Sequence, residues 1–315
     1  MSDAAPTTGG SATTDVTVVI PTRNRADLLR TTLRSIQVAV DEARRAGWTT
    51  RVLVVDDCSD DDSTAVAARE AGADVVRLEV HDGQNDPASA IVRGVAEATS
   101  TYITLFGDDD IMLPRYLVAH LERLAEGYDL CSGSFLRADG DLRVQQEVTL
   151  PEPRLGDLLA GSITVNDGAM VRRELFQAGP WDSTRRQQVI YPVWLTILSG
   201  DARTTRLTEA TWIYRRHGGN ISMALDESDA RTRAEVLEPF LRGFEERGEP
   251  VPPSTKALVQ AETDAYAEAD QRARDDAERR RRAEWDGLSW ATKNRRRVSR
   301  RLRRARTRVA AWIAP

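Results

Sequence analysis

Tyr102-Ile103-Thr104-Leu105-Phe106-Gly107-Asp108-Asp109-Asp110 carries an apolar β-strand straight into three successive carboxylates. Adjacent acids repel one another, so a fold that holds them together at a strand tip needs a compensating cation. A hard divalent ion such as Mg²⁺ or Mn²⁺ prefers oxygen ligands and typically carries a diphosphate. In open α/β sheets ligands bind beyond the carboxyl ends of the strands, where these residues would sit. The competing account is an acidic turn ahead of a helix, with Asp110 near the helix start and Pro114 in its first turn.

Upstream of this strand the pattern alternates. Residues 1–14, rich in Ser, Thr, Gly and Ala without periodicity, read as a disordered leader. An apolar run Val16–Ile20, a helical pattern from about Ala26 to Ala46, an apolar run Val52–Val55 and a helix from about Ser63 to Ala71 follow. With Val75–Val80, a helix around Ala88–Ala98 and Tyr102–Phe106, this βαβα succession predicts an α/β fold whose parallel sheet is covered on both faces. Downstream, a helix near Pro114–Glu126, a strand Leu130–Leu136 and the Asp139-Gly140 turn predict a hairpin, so the second half is mixed or antiparallel. Residues 226–282 form a helical extension containing the Pro250-Val251-Pro252-Pro253 hinge.

A chain of 315 residues with 41% hydrophobic content can bury a sizeable core. Two cysteines, Cys58 and Cys131, exclude a disulfide scaffold and fit a reducing compartment. Met1 to Thr14 lacks a signal-peptide pattern, and no stretch has the ~18 apolar residues of a membrane span, which places the chain in the cytoplasm. The net charge of −5 conceals a split: residues 271–315 hold 16 Lys and Arg against 5 acids, leaving the remainder at −16. An acidic body with a basic tail points to a separate interaction element.

Four segments in order carry a resemblance: Val18-Val19-Ile20-Pro21-Thr22-Arg23-Asn24-Arg25, Val54-Val55-Asp56-Asp57-Cys58-Ser59-Asp60, Gly107-Asp108-Asp109-Asp110, and Tyr214-Arg215-Arg216-His217-Gly218-Gly219-Asn220-Ile221-Ser222. Together they span residues 16–223 and resemble the family 2 glycosyltransferases. The resemblance implies the GT-A fold over residues 15–225, a Rossmann-like, mostly parallel sheet flanked by helices. It further implies a nucleotide-sugar donor, a divalent metal, and transfer to an acceptor with inversion.

Pro21 ends the first strand in a turn that leaves Thr22 and Arg23 at the sheet's carboxyl edge, able to contact a nucleoside, while Asn24 shapes the turn. Asp56 and Asp57 end the second strand the same way. By resemblance Asp57 accepts a hydrogen bond from a base nitrogen, most naturally of uracil, which favours a UDP-sugar. By resemblance also, Asp108 contacts ribose or metal, Asp109 or Asp110 is the direct metal ligand, and His217 is a further ligand. Arg215 and Arg216 can pair with diphosphate oxygens.

One departure bears on turnover. Relatives place an acid, the acceptor's general base, just before an apolar Trp-containing helix, and here that stretch reads Gln187-Gln188-Val189-Ile190-Tyr191-Pro192-Val193-Trp194-Leu195. General-base help is worth about 10²–10⁴ in rate. Asp182, which follows Trp181, and Asp167, in an Asn-Asp-Gly turn, are the nearest replacements. A second departure is Ile91-Val92, where many relatives carry Arg-Asn. The alternative is a glycosyltransferase-like module that binds nucleotide-sugar without turnover.

Residues 283–315 predict a basic amphipathic helix. Val298, Leu302, Val309 and Ile313 fall near one face, arginines cover the rest, and Trp285, Trp290 and Trp312 lie toward its ends. This composition suits an anionic membrane surface, with a solvated or partner-packed helix as the other reading, and no nucleic acid is expected. The sequence therefore predicts a Mn²⁺- or Mg²⁺-dependent glycosyltransferase acting on a cell-envelope, glycan or lipid-linked acceptor, peripheral at the inner membrane face.

Overall fold

The computed structural model describes residues 14–70, 72–78, 87–159, 168–183, 189–218 and 228–248, with single helical positions between 257 and 279. The leader, Asp167, Gln187-Gln188, the Gly219–Ser222 end of the fourth segment and the 283–315 tail lie outside the described residues. Two units are present, Met1–Glu262 and Thr263–Pro315. In the second, Gln271 donates to Asp275 Oδ1 one helical turn on, at 2.9 Å.

The first unit is built on β1 (Val16–Thr22), α1 (Ala26–Arg45), β2 (Thr50–Asp56), α2 (Ser63–Glu70), β3 (Asp74–Arg77), α3 (Pro87–Glu97) and β4 (Tyr102–Leu105). The β-branched run of β1 pairs in parallel with β2, from Val16 opposite Thr50 to Thr22 opposite Asp56, and β3 and β4 add in parallel outside β2 and β1. After β3 the chain crosses back to the other side of β1, so the strand order reverses between β1 and β4. That reversal opens a crevice at the carboxyl ends of those two strands. α1 buries Leu29, Leu33, Ile36 and Val40 at three- and four-residue steps. It ends in a Schellman cap: Trp48 N–H donates to Ala43 O and Gly47 N–H to Arg44 O, with Gly47 at φ 89°.

The second half comprises β5 (Ile111–Met112), α4 (Tyr116–Ala125), β6 (Leu130–Asp139), β7 (Val144–Val148), α5 (Leu155–Leu159), β8 (Ala169–Arg172), α6 (Arg173–Gln177), α7 (Tyr191–Ser199), β9 (Thr204–Arg216) and α8 (Ser228–Glu246). The sheet runs β3-β2-β1-β4-β8-β6-β9-β5, with β7 paired on β6. β8 is antiparallel to β4 and β6, whereas β6 and β9 are parallel, so the half is mixed. β6 and β7 form the hairpin expected at Asp139-Gly140. One core, lined by Val18, Ile20, Leu33, Val66 and Leu117, lies under α1, α2 and α4. The other, lined by Val19, Leu53, Val95, Phe176, Trp194 and Leu237, lies under α3, α6, α7 and α8. Burying one such aliphatic side chain contributes ~1.5–3 kcal/mol.

Two sequence expectations are corrected. β1 does not stop at Ile20 but runs through Pro21 to Thr22. The β1–β4 register ends at Val19 opposite Leu105, so beyond it a proline removes no ladder bond on that side. The helix expected from Pro114 begins only at Tyr116. Ile111 and Met112 instead pair with Ile213 and Trp212 of β9.

Candidate active site

The acid cluster fills the β1–β4 crevice. Phe106 N–H donates to Val19 O at 2.9 Å, the last backbone tie between the strands, and the chain then turns through Gly107. A Cβ on Gly107 would lie 3.0 Å from Asp109 Oδ1 and 3.2 Å from Asp110 Oδ2, so the missing side chain is what lets both carboxylates pack there. β5 then pairs antiparallel with the end of β9. Continuing that ladder, Arg215 N–H donates to Asp110 Oδ1 at 2.9 Å. This pairing delivers His217 to the cluster, with Nε2 3.0 Å from Asp109 Oδ2. The β6–β7 turn flanks the histidine, since a Cβ on Gly140 would lie 3.7 Å from His217 Cβ.

The three acids have different surroundings. Asp108 accepts from Thr22 Oγ1 at 2.8 Å and from Arg25 Nη1 at 2.9 Å, one donor on each oxygen. Burial pushes its carboxyl up to about 6; Arg25 pulls it down and Asp109 pushes it further up. Asp109 Oδ2 receives both Arg25 Nη1, at 3.1 Å, and His217 Nε2. Asp110, 1% exposed, is tied to β9 through Arg215 N–H. Burial lowers the Arg25 guanidinium, but Asp108 and Asp109 outweigh it and leave its pKa raised. Burial leaves the buried Arg215 lowered despite the pull of Asp109 and Asp110.

Arg25 and Thr32 are the site residues that sequence reasoning missed. Thr32 Oγ1, on the buried face of α1, lies 3.0 Å from Asp108 O and 2.8 Å from Asp110 O. On the same helix Ser35 Oγ accepts from Met112 N–H at 3.0 Å. The available signal was a polar pair three residues apart within an apolar stripe, which a core does not tolerate without partners. Arg25 stood inside the first quoted segment, yet nothing local distinguishes it from a surface arginine.

At the tip of β2, Asp56 is fully buried and its oxygens are engaged. Ser59 N–H donates to Oδ1 at 3.0 Å, Thr64 Oγ1 makes a short hydrogen bond to Oδ2, and Arg77 Nη1 lies 3.5 Å from Oδ2. Asp56 thereby organises the β2–α2 loop. Asp57 is the acid that faces the first segment: its N–H donates to Thr22 O at 2.9 Å and its Oδ2 lies 3.7 Å from Arg23 Nη1. Asn24 adopts the left-handed conformation, φ 52°, and its Oδ1 accepts from Asp60 N–H at 2.7 Å. It pins the two loops together, in keeping with its expected turn-shaping role. Pro21 and Thr22 at the end of β1, Arg215 near the end of β9, and Arg23, Asp57 and Asp108 in the loops beyond the strands thus converge on one edge of the sheet.

Among the described residues no group of three or more His, Cys, Asp or Glu side chains is arranged to hold a metal. The pair Asp109 and His217 has suitable chemistry nonetheless. Neighbouring ligands of an octahedral ion at about 2.1 Å stand about 3 Å apart, as Asp109 Oδ2 and His217 Nε2 do, and such an ion takes its other ligands from phosphates and water.

Asp182 directly follows Trp181, which packs on α6. Tyr102, at the start of β4, is opposite Arg172, and Arg173 Nε and Gln177 Nε2 bond Ser100 O and Ala98 O, so α6 docks at the end of β4 remote from the acids. Trp181 is held back on α6, its indole N–H donating to Phe176 O at 2.7 Å.

Comparison with known proteins follows the same outline. The family model described as Glycosyl transferase family 2 matches residues 17–179. The succinoglycan biosynthesis protein ExoO of Rhizobium meliloti is 30% identical over 249 residues, 73% of this chain and 69% of that protein. Among solved structures, S. aureus TarS 1–349 in complex with UDP-GlcNAc shows a TM-score of 0.53 at 17% identity, over 70% of this chain and 65% of that one. The mannosyltransferase PcManGT from Pyrobaculum calidifontis, in complex with GDP-Man and Mn²⁺, shows 0.55 at 16% identity, over 93% and 81%. The structural likenesses show the GT-A fold, whose curled mixed sheet this chain shares. With the sequence match extending from β1 past the acid cluster to α6, the chain belongs to glycosyl transferase family 2 and is a glycosyltransferase.

Proposed function

We propose that this glycosyltransferase takes a nucleotide-sugar, with UDP-sugars favoured, and transfers the sugar with inversion to a glycan or lipid-linked acceptor of a cell-envelope polysaccharide. The observation that carries the reading is the 3.0 Å pairing of Asp109 Oδ2 with His217 Nε2 in the crevice between β1 and β4. In this reading Asp57 and Arg23 bind the base, Thr22 and Asp108 face the ribose, and Arg215 faces the diphosphate. Asp109 and His217 would hold Mn²⁺ or Mg²⁺, the histidine as a neutral imidazole ligand. When bound, such an ion acts as a Lewis acid toward the departing nucleoside diphosphate. Asp110 keeps the end of β9 in register rather than serving as a ligand. Support for the donor class comes from the folds of TarS and PcManGT, which were seen with UDP-GlcNAc and GDP-Man.

The acceptor reading rests on the similarity to a succinoglycan biosynthesis protein and on the basic tail. No described helix is long and apolar enough to cross a membrane. The ten basic residues of 286–315 support a peripheral anchor at the inner membrane surface. Thermal denaturation with a panel of nucleotide-sugars, with and without Mn²⁺, tests the donor. A UDP-sugar that stabilises the protein only with Mn²⁺ is the expected result, and indifference to every donor overturns it. Binding without transfer to any acceptor favours the non-catalytic module.

A further inference from the structure

Two hydroxyls of α1 hold the backbone of the acid cluster. Thr32 Oγ1 lies 3.0 Å from Asp108 O and 2.8 Å from Asp110 O. Ser35 Oγ donates to Thr32 O at 2.6 Å and accepts from Met112 N–H at 3.0 Å. Thr32 is fully buried, on the helix face that also buries Leu29, Leu33 and Ile36. Two carbonyls that converge on one point repel each other, and a donor between them makes the arrangement tolerable away from water. The Thr32 hydroxyl is that donor. Asp109 stands between the two residues whose carbonyls it holds, and from there its Oδ2 meets His217 Nε2 at 3.0 Å.

Resting on the divalent-cation reading above, we propose that Thr32, supported by Ser35, is a positioning residue: its hydroxyl fixes the Asp108–Asp110 turn on α1 and so sets the direction of the Asp109 carboxylate. The flanking acids are tied through their side chains, Asp108 Oδ2 by Thr22 Oγ1 at 2.8 Å and Asp110 Oδ1 by Arg215 N–H at 2.9 Å. Thr32 acts instead on the main chain around Asp109. Without its hydroxyl the two carbonyls turn apart, the peptide planes rotate with them, and the Asp109 oxygen loses its place beside the imidazole. Partners that orient a ligand in this way are typically worth about 10–100-fold in binding, although they never touch what is bound. Ser35 extends the same clamp to Met112, where β5 begins to pair with β9.

Isothermal titration of UDP into the full chain in the presence of Mn²⁺, beside thermal denaturation of the same samples, tests this with two variants that separate hydroxyl from packing. Thr32→Val keeps the branched shape without the hydroxyl, and Thr32→Ser keeps the hydroxyl without the methyl. Thr32→Val should weaken UDP binding by about tenfold while still unfolding cooperatively, and Thr32→Ser should bind within about threefold of wild type. A threonine that only fills the core gives the opposite pattern, lower melting temperatures with UDP affinity intact. That pattern, or equal weakening in both variants, overturns the inference alone. Should Thr32→Val fail to fold, Ser35→Ala at the half-buried end of the clamp decides, with a loss of about threefold or more expected and wild-type affinity overturning the inference. Absence of UDP binding to the wild type in Mn²⁺ overturns it together with the divalent reading.

Discussion

His217 Nε2 meets Asp109 Oδ2 at 3.0 Å across 108 residues of chain, because β5 and the end of β9 pair directly beyond the acid cluster. If this pair holds the divalent ion, Asp109→Asn and His217→Ala each weaken Mn²⁺-dependent UDP binding by at least about tenfold, and chelation by EDTA abolishes it in the wild type. Isothermal titration measures all three. Wild-type affinity in both variants would remove the pair from the site.

Asp182→Asn is expected to keep kcat within a few-fold of wild type, since Trp181 holds that segment on α6, away from the acids. A fall of about 10²–10⁴ in kcat at unchanged donor affinity would identify Asp182 as the general base. If kcat is kept, the search for a base moves to Asp167, and Asp167→Asn becomes the informative variant.

Gly168 sits at φ 82°, and a Cβ there would come 2.1 Å from Trp212 Nε1. Gly168→Ala therefore combines a left-handed backbone strain with overpacking, an expected loss of roughly 2–4 kcal/mol in urea unfolding. Ala at Gly47, also left-handed but with nothing within 4 Å, should cost less.

His120 is fully buried on α4, its ring nitrogens 2.7 Å from Tyr116 O and 3.1 Å from Gly168 O. Burial lowers its pKa to about 4, against the upward pull of both carbonyls and of Glu209. The ring is neutral in the fold, so the unfolded chain takes up its proton first as pH falls. Its contribution is intact above about pH 6.5 and declines toward pH 4, by about 2 kcal/mol between pH 7 and 5. Urea melts at the two pH values check this, and His120→Gln should flatten the difference.

Deleting residues 283–315 should release the protein from anionic liposomes while leaving the thermal transition of the first unit in place. Each basic residue near such a surface contributes about 1 kcal/mol, and residues 286–315 hold ten against one acid. Sedimentation with vesicles at low and high salt reads this out. An intact chain that ignores anionic vesicles at low salt points to a protein partner.

By itself the sequence determined what is written in local periodicity. The apolar runs, the stripe of α1 and the helices between them gave the succession of strands and helices in the parallel half, and three acids after an apolar strand pointed to the edge where the candidate site lies. These are short-range properties, set by which face each residue must bury. The tertiary structure decided what surrounds each acid. Asp108, Asp109 and Asp110 are equivalent in sequence and acquire different surroundings only from Thr22, Arg25, Arg215 and His217, brought in from other strand ends. Asp56 and Asp57 are likewise adjacent, yet the first faces the β2–α2 loop and the second Arg23. β5, two residues long, is too short to carry a period, and both it and β8 are fixed by the partners that β9 and β4 offer them. The place of Arg25 between two carboxylates has the same origin: pairing that closes at long range determines which charges meet, and no local pattern records it.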